Sequence, residues 1–144
     1  MIEGIIKTKL KIINQDNGSI YHVLRSTDKT FGTLGEIYFS SIKKGATKGW
    51  TLHTKMSLNL VVPIGKIIFN FIDMRKKSRT YNERDIIIMS RDNYFRLTVP
   101  PNIIFAFRGL EDNENMLVNV ADMIHDPNES IKKNINDYEF LEHI

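Results

Sequence analysis

The chain has 144 residues, the size of one domain that closes a single hydrophobic core without staples, so one domain over residues 1–144 is expected. Hydrophobic residues make up 42% and charged residues 26%, which excludes a disordered polymer, and the lack of cysteine excludes disulfides and thiolate metal ligation. The net charge of +3 is dispersed, with Lys76, Lys77 and Arg79 its one dense cluster, so phosphates on a small ligand account for it as well as nucleic acid does.

Short apolar segments recur along the chain: Ile5 to Ile13, Ser19 to Arg25, Glu36 to Ile42, Trp50 to Val62, Lys66 to Asp73, Asp85 to Met89, Tyr94 to Val99, Ile103 to Phe107 and Met116 to Met123. This rhythm predicts strands at barrel or sandwich spacing. Between them lie Asp16-Asn17-Gly18, Lys43-Lys44-Gly45, Pro63-Ile64-Gly65, Arg91-Asp92-Asn93 and Glu111 to Asn115, rich in residues that accept turn geometry. The expected connections are hairpins and the expected pairing antiparallel. One helical turn is expected over Asn128 to Asn134, and the polar tail from Lys132 to Ile144 is expected to wrap a neighbouring subunit or fray. Strands such as Leu58 to Val62 and Ile86 to Met89 are apolar on both faces, which fits a barrel packed on a second sheet or subunit. The longest apolar runs stop far short of the roughly 18 residues of a membrane-spanning helix, and no secretion-signal pattern opens the chain, so no membrane contact and a cytoplasmic location are expected.

Alternation puts residues 51, 53, 55 and 59 on one strand face and Trp50 and Leu52 on the other. Polar groups on the first face, His53 and Lys55 above all, predict a wet pocket inside the barrel. The spacing around His53 resembles the first metal-binding motif of the cupins, but the places of its ligands hold His53, Lys55, Asn59 and Gly65. The second motif resembles Pro100, Asn102 and Phe105, with a phenylalanine at the ligand place. One imidazole and one amide beside an ammonium do not make a divalent metal site, so no metal and no other cofactor are expected.

A wider pattern joins these residues: Gly18-Ser19 with Arg25, Gly35-Glu36-Ile37-Tyr38, Lys48-Gly49-Trp50 before Leu52-His53, Gly65 leading to Asp73-Met74-Arg75, Pro100-Pro101, and Asn119 with Asp122 and Asp126-Pro127. Over about residues 5 to 130 the whole resembles the dTDP-4-dehydrorhamnose 3,5-epimerase family, as a short divergent member. The resemblance implies an all-β fold, a double-stranded β-helix of the cupin or jelly-roll kind, and a homodimer. It implies an isomerase that removes protons next to the 4-keto group of a nucleotide-linked sugar in surface polysaccharide synthesis. It assigns His53 as base and Arg25 as the residue meeting the diphosphate, with His22 where the family carries a Glu. Lys55 is a second catalytic candidate, for an enolate oxygen or a phosphate. Trp50, Lys48, Asn59, Arg96 and Asn119 complete the substrate-binding candidates.

The resemblance also marks losses. The family's proton-donating Tyr aligns with Val118, and the strand position that commonly carries the His-orienting Asp reads Phe69, with Asp137 in the tail as a loose substitute. Three outcomes stay open: Tyr38, Tyr138 or Lys55 replaces the donor, one carbon alone is epimerised, or the barrel binds a sugar nucleotide or a partner enzyme without turnover. A nucleic-acid module of the OB kind would need aromatics interleaved with basic residues, and Tyr94-Phe95-Arg96 alone is thin.

Overall fold

Alternating apolar positions give rise to twelve strands in the computed structural model, which describes residues 1–143. In chain order they are β1 (Ile6–Lys9), β2 (Ile12–Ile13), β3 (Ile20–Tyr21), β4 (Glu36–Ile42), β5 (Thr47–His53), β6 (Leu58–Ile64), β7 (Lys66–Asp73), β8 (Arg84–Ser90), β9 (Phe95–Val99), β10 (Ile103–Gly109), β11 (Asn115–Ala121) and β12 (Ser130–Lys132). One five-stranded sheet runs β1-β9-β6-β11-β4 and the other β12-β5-β10-β7-β8, while β2 and β3 form a separate ribbon. These strands pair antiparallel. Among the described residues no helix is long and apolar enough to cross a membrane.

The hairpin expectation holds for β7–β8 and β2–β3 alone; from β4 to β7 and from β8 to β12 each strand lies in the opposite sheet from the strand before it. Turn residues reverse the chain, but they do not say which sheet the next strand joins. The result is a two-sheet jelly roll. Its crossing from β6 to β7 turns on Gly65, at φ 72°, where a Cβ would lie 2.4 Å from the Glu114 carbonyl oxygen. No side chain fits there.

The two inner faces close over one core, in which Leu60, Val62, Ile67, Phe69, Phe71, Leu97, Phe105 and Leu117 interleave. Phe69 belongs to this core, stacked 5.9 Å from Phe71, and no carboxylate stands in its place. Both sheets are also apolar outside. The tail covers the outside of the second sheet: Tyr138 and Phe140 pack on Trp50, and Asn70 exchanges hydrogen bonds with the backbone of Leu141. It packs on its own chain through residue 141, in place of the expected wrapping or fraying. On the first sheet the β2–β3 ribbon covers Val61 and Tyr94.

Two further expectations change. The run from Trp50 to Val62 is two strands, broken at residues 54–57 because carboxylates from the β11–β12 segment capture its amides. Glu129 accepts from the N–H groups of Lys55 and Met56, and Asp122 from that of Ser57. The helical turn expected near Asn128 to Asn134 is the edge strand β12, paired to β5 with Ser130 opposite His53.

Candidate active site

Along β5, Thr51 and His53 turn inward while Trp50 turns out. Gly49 lets β5 bulge against β10, since its φ of 125° and the Ala106 Cα only 2.7 Å from an added Cβ admit no side chain. The inward residues line a cavity of about 250 Å³ that opens between β4 and the β12–β5 edge. Leu58, Leu60, Phe105, Phe107 and Leu117 form its apolar walls, and Tyr38, Ser40, Lys48, Thr51, His53, His125, Ser130 and Lys132 supply its polar groups.

His53 stacks on Phe105 and its side chain is 11% exposed. Its Nδ1 lies 2.5 Å from Oε1 of Glu129, a carboxylate that is itself 1% exposed. Burial pushes the Glu129 carboxyl up, but hydrogen bonds from His53 and from the amides of Met56 and Lys55 outweigh it and hold the group below its ordinary value. Glu129 is therefore ionised at neutral pH, so the shared proton resides on Nδ1. In the neutral imidazole that tautomer leaves the lone pair on Nε2, and His53 is part of the cavity wall.

Two ammonium groups face the same space. Lys48 Nζ donates to the Ser41 carbonyl at 2.6 Å and to Ser40 Oγ at 3.2 Å, bridging β5 to β4. Lys132 Nζ donates to Thr51 Oγ1 at 2.7 Å, and burial lowers its pKa from the ordinary lysine value. On the first sheet the Tyr38 hydroxyl accepts from Asn119 Nδ2 at 3.0 Å.

Of the residues singled out in the sequence, His53, Lys48 and Tyr38 line this cavity, with Phe105 in its apolar wall. Lys55 does not: its side chain is exposed past the end of β5, and its contribution is the backbone N–H given to Glu129. Trp50 is fully buried on the opposite face beneath the tail, where Nε1 donates to the Ile135 carbonyl. Asn59 is buried in the sheet, accepting from Thr98 and donating to the Val120 carbonyl. Arg96, 1% exposed, holds the 23–30 loop through the Val23 carbonyl, Asp28 and Thr30, so its charge is spent on structure. Asn119 is buried behind Tyr38 and reaches the cavity through it. Arg25 and His22 sit in a different, smaller cleft with Lys9, Lys11 and Asp28. Val118, where the resemblance puts the donor, faces outward into an apolar cleft. Asp137 accepts from the Asn134 amide in an exposed turn, away from His53.

Sequence reasoning missed Glu129 and Lys132. The only signal was local: Ser130 and Lys132 alternate after an acidic residue, a short strand pattern next to a carboxylate.

A family model for dTDP-4-dehydrorhamnose 3,5-epimerase matches residues 1–141. The spore coat polysaccharide biosynthesis protein SpsL of Bacillus subtilis is 24% identical over 135 residues, covering 94% of this chain and 89% of SpsL. A crystal structure of a dTDP sugar isomerase from Desulfovibrio desulfuricans G20 superposes with a TM-score of 0.91 at 31% identity, covering 94% of this chain and 87% of that one. ChmJ, a 3'-monoepimerase from Streptomyces bikiniensis solved with dTDP-quinovose, shares the fold with a TM-score of 0.84 at 20% identity over 94% of this chain and 72% of its own. With the jelly roll and the inward His53 in place, the match over nearly the whole length means that this chain belongs to the dTDP-4-dehydrorhamnose 3,5-epimerase family.

Proposed function

We propose that this protein is an isomerase that inverts a stereocentre next to the 4-keto group of a dTDP-linked sugar destined for surface polysaccharide. The observation that carries the reading is the buried His53–Glu129 pair, held at 2.5 Å in the wall of the cavity. A carbon next to a ketone is a weak acid, so its proton leaves only when a positioned base and a stabilised enolate act together. His53 Nε2 takes the proton, the C–H electrons move onto the ketone oxygen, and Glu129 stabilises the imidazolium that forms. Lys132 and Lys48 place positive charge in the same cavity, where an enolate oxygen or a phosphate is met. The enolate then collapses to the ketone as a proton arrives on the other face. Such proton transfer consumes no redox equivalent, so the reading calls for no cofactor.

The same reading gives the protein a nucleotide-linked sugar and a second copy of itself as partners, and a cytoplasmic location in keeping with a chain that has no cysteine. The dimer is supported by the unpartnered apolar outer side of β4, where Ile37 and Phe39 are exposed. Val23 and Leu24 line both that apolar cleft and the Arg25 cleft, so a partner seated there lies against Arg25.

The test is proton NMR in deuterium oxide with a panel of dTDP-linked 4-keto sugars, using wild type and His53→Ala. Deuterium entering next to the ketone with wild type and not with the variant is expected. Thermal stabilisation by the sugar nucleotides with no exchange would instead make the chain a binding protein.

A further inference from the structure

Inversion, unlike simple exchange, needs an acid on the face of the sugar away from the base. The chain has five tyrosines. Tyr138 packs edge-on to Trp50 outside the second sheet, Tyr21 and Tyr94 meet edge-on outside the first, and Tyr81 lies in the β7–β8 turn. Tyr38 alone of the five lines the His53 cavity, and it does so from β4, in the sheet facing the β5 strand that carries His53.

We propose that Tyr38 is the acid that delivers the new proton to the face opposite His53, and that Asn119 is a positioning residue that aims its O–H. The polarity of the bond between them decides this. Asn119 Oδ1 accepts the backbone N–H of Asn59 at 3.1 Å, which fixes the amide with Nδ2 toward Tyr38. An amide N–H can only donate, so the phenol oxygen is an acceptor there. The Tyr38 hydrogen is thereby freed to point into the cavity. The step balances: the phenol O–H breaks, its proton bonds to the carbon as the enolate pair re-forms the C–H bond, and the carbonyl is restored. The phenolate and the imidazolium then re-equilibrate with water. The family's donor place is not needed for this, since Val118 faces out.

The inference rests on the epimerase reading, and one experiment separates the two. Wild type, His53→Ala and Tyr38→Phe are compared in deuterium oxide for both exchange and inversion of a dTDP-linked 4-keto sugar. In Tyr38→Phe, His53 still removes the proton and returns deuterium to the same face. Inversion is therefore expected to fall at least about 100-fold while exchange stays within about tenfold of wild type. Inversion within about threefold of wild type overturns the assignment, and so does loss of exchange together with inversion at an unchanged melting temperature. Should the Phe variant fail to fold, Asn119→Asp carries the same test. Its carboxylate can only accept the Tyr38 proton, turning the O–H away, and inversion is again expected to fall with exchange retained. Wild type that neither exchanges nor inverts brings down the epimerase reading itself, and this inference with it.

Discussion

Glu129 holds three donors at once, the His53 ring and the amides of Lys55 and Met56, so one carboxylate sets both the imidazole tautomer and the turn between β5 and β6. Replacing it by glutamine keeps the volume but offers a single amide oxygen and an N–H that can donate to Nδ1, which puts the imidazole proton on the wrong nitrogen. Deuterium exchange by Glu129→Gln is expected to fall on the order of 10²- to 10⁴-fold, as for other orienting carboxylates, in protein that still gives a cooperative melt. Exchange at the wild-type rate would show that His53 needs no orienting partner. Asp73 does comparable work away from the cavity. It is fully buried; that burial raises its pKa, but hydrogen bonds from Arg75, Thr80 and Ser78 and the Arg75 amide pull it far below the ordinary range. A carboxyl depressed on folding adds stability that is complete above its unfolded pKa of about 4 and is lost as pH falls toward its folded value. Asp73→Asn is expected to cost on the order of 3 kcal/mol at pH 7, and the gap to wild type should narrow steadily below about pH 4 in urea unfolding. A gap that stays constant with pH would show that the charge on Asp73 is not what stabilises.

At the scale of elements, β4 and β7 are legible in the sequence to the residue, because Glu36 to Ile42 and Lys66 to Asp73 are bounded by turns and sit wholly in one sheet. The inward side of β5 is legible too, since alternation alone separates His53 from Trp50. What the sequence hides is decided by contacts between distant segments. The break at residues 54–57 depends on Glu129 and Asp122, more than sixty positions away, and β12 exists because the β5 edge needs a partner. Trp50 reads as a candidate ligand contact only until the tail is placed over it. That placement is open to measurement, for Trp50 is the single tryptophan. Phe140 lies 6.3 Å from it and under Arg108, whose guanidinium carbon is 4.5 Å from the ring centre. Phe140→Ala is expected to redshift the tryptophan emission and to cost roughly 2 kcal/mol, less than a fully buried Phe because this ring is half-buried. Unchanged emission would mean that the tail does not seat on the second sheet in solution.

For the whole molecule, the two outer faces are treated unequally. The tail covers the second sheet, while the first keeps Leu34 at 57%, Ile37 at 56% and Phe39 at 66% exposure beside an apolar cleft floored by Val118 and Val120. Ile37 and Phe39 lie on β4 and Leu34 just before it, and β4 is an edge strand whose free backbone groups invite pairing. Arg25 belongs to the same side of the molecule and does not reach the His53 cavity of its own chain. The proposed homodimer, closing over β4, would bury the apolar face and bring a basic cleft up to the interface. Phe39 alternates with Tyr38 and faces outward, so a charge there disturbs the face and not the cavity. Wild type is expected to sediment as a dimer, and Phe39→Glu as the 16.7 kDa monomer at the same concentration. If Arg25 serves the partner's substrate, the monomer will also show a raised KM for the sugar nucleotide while His53-dependent exchange persists at saturation. A wild type that is monomeric throughout would leave Arg25 a surface residue and return the diphosphate to Lys48 and Lys132.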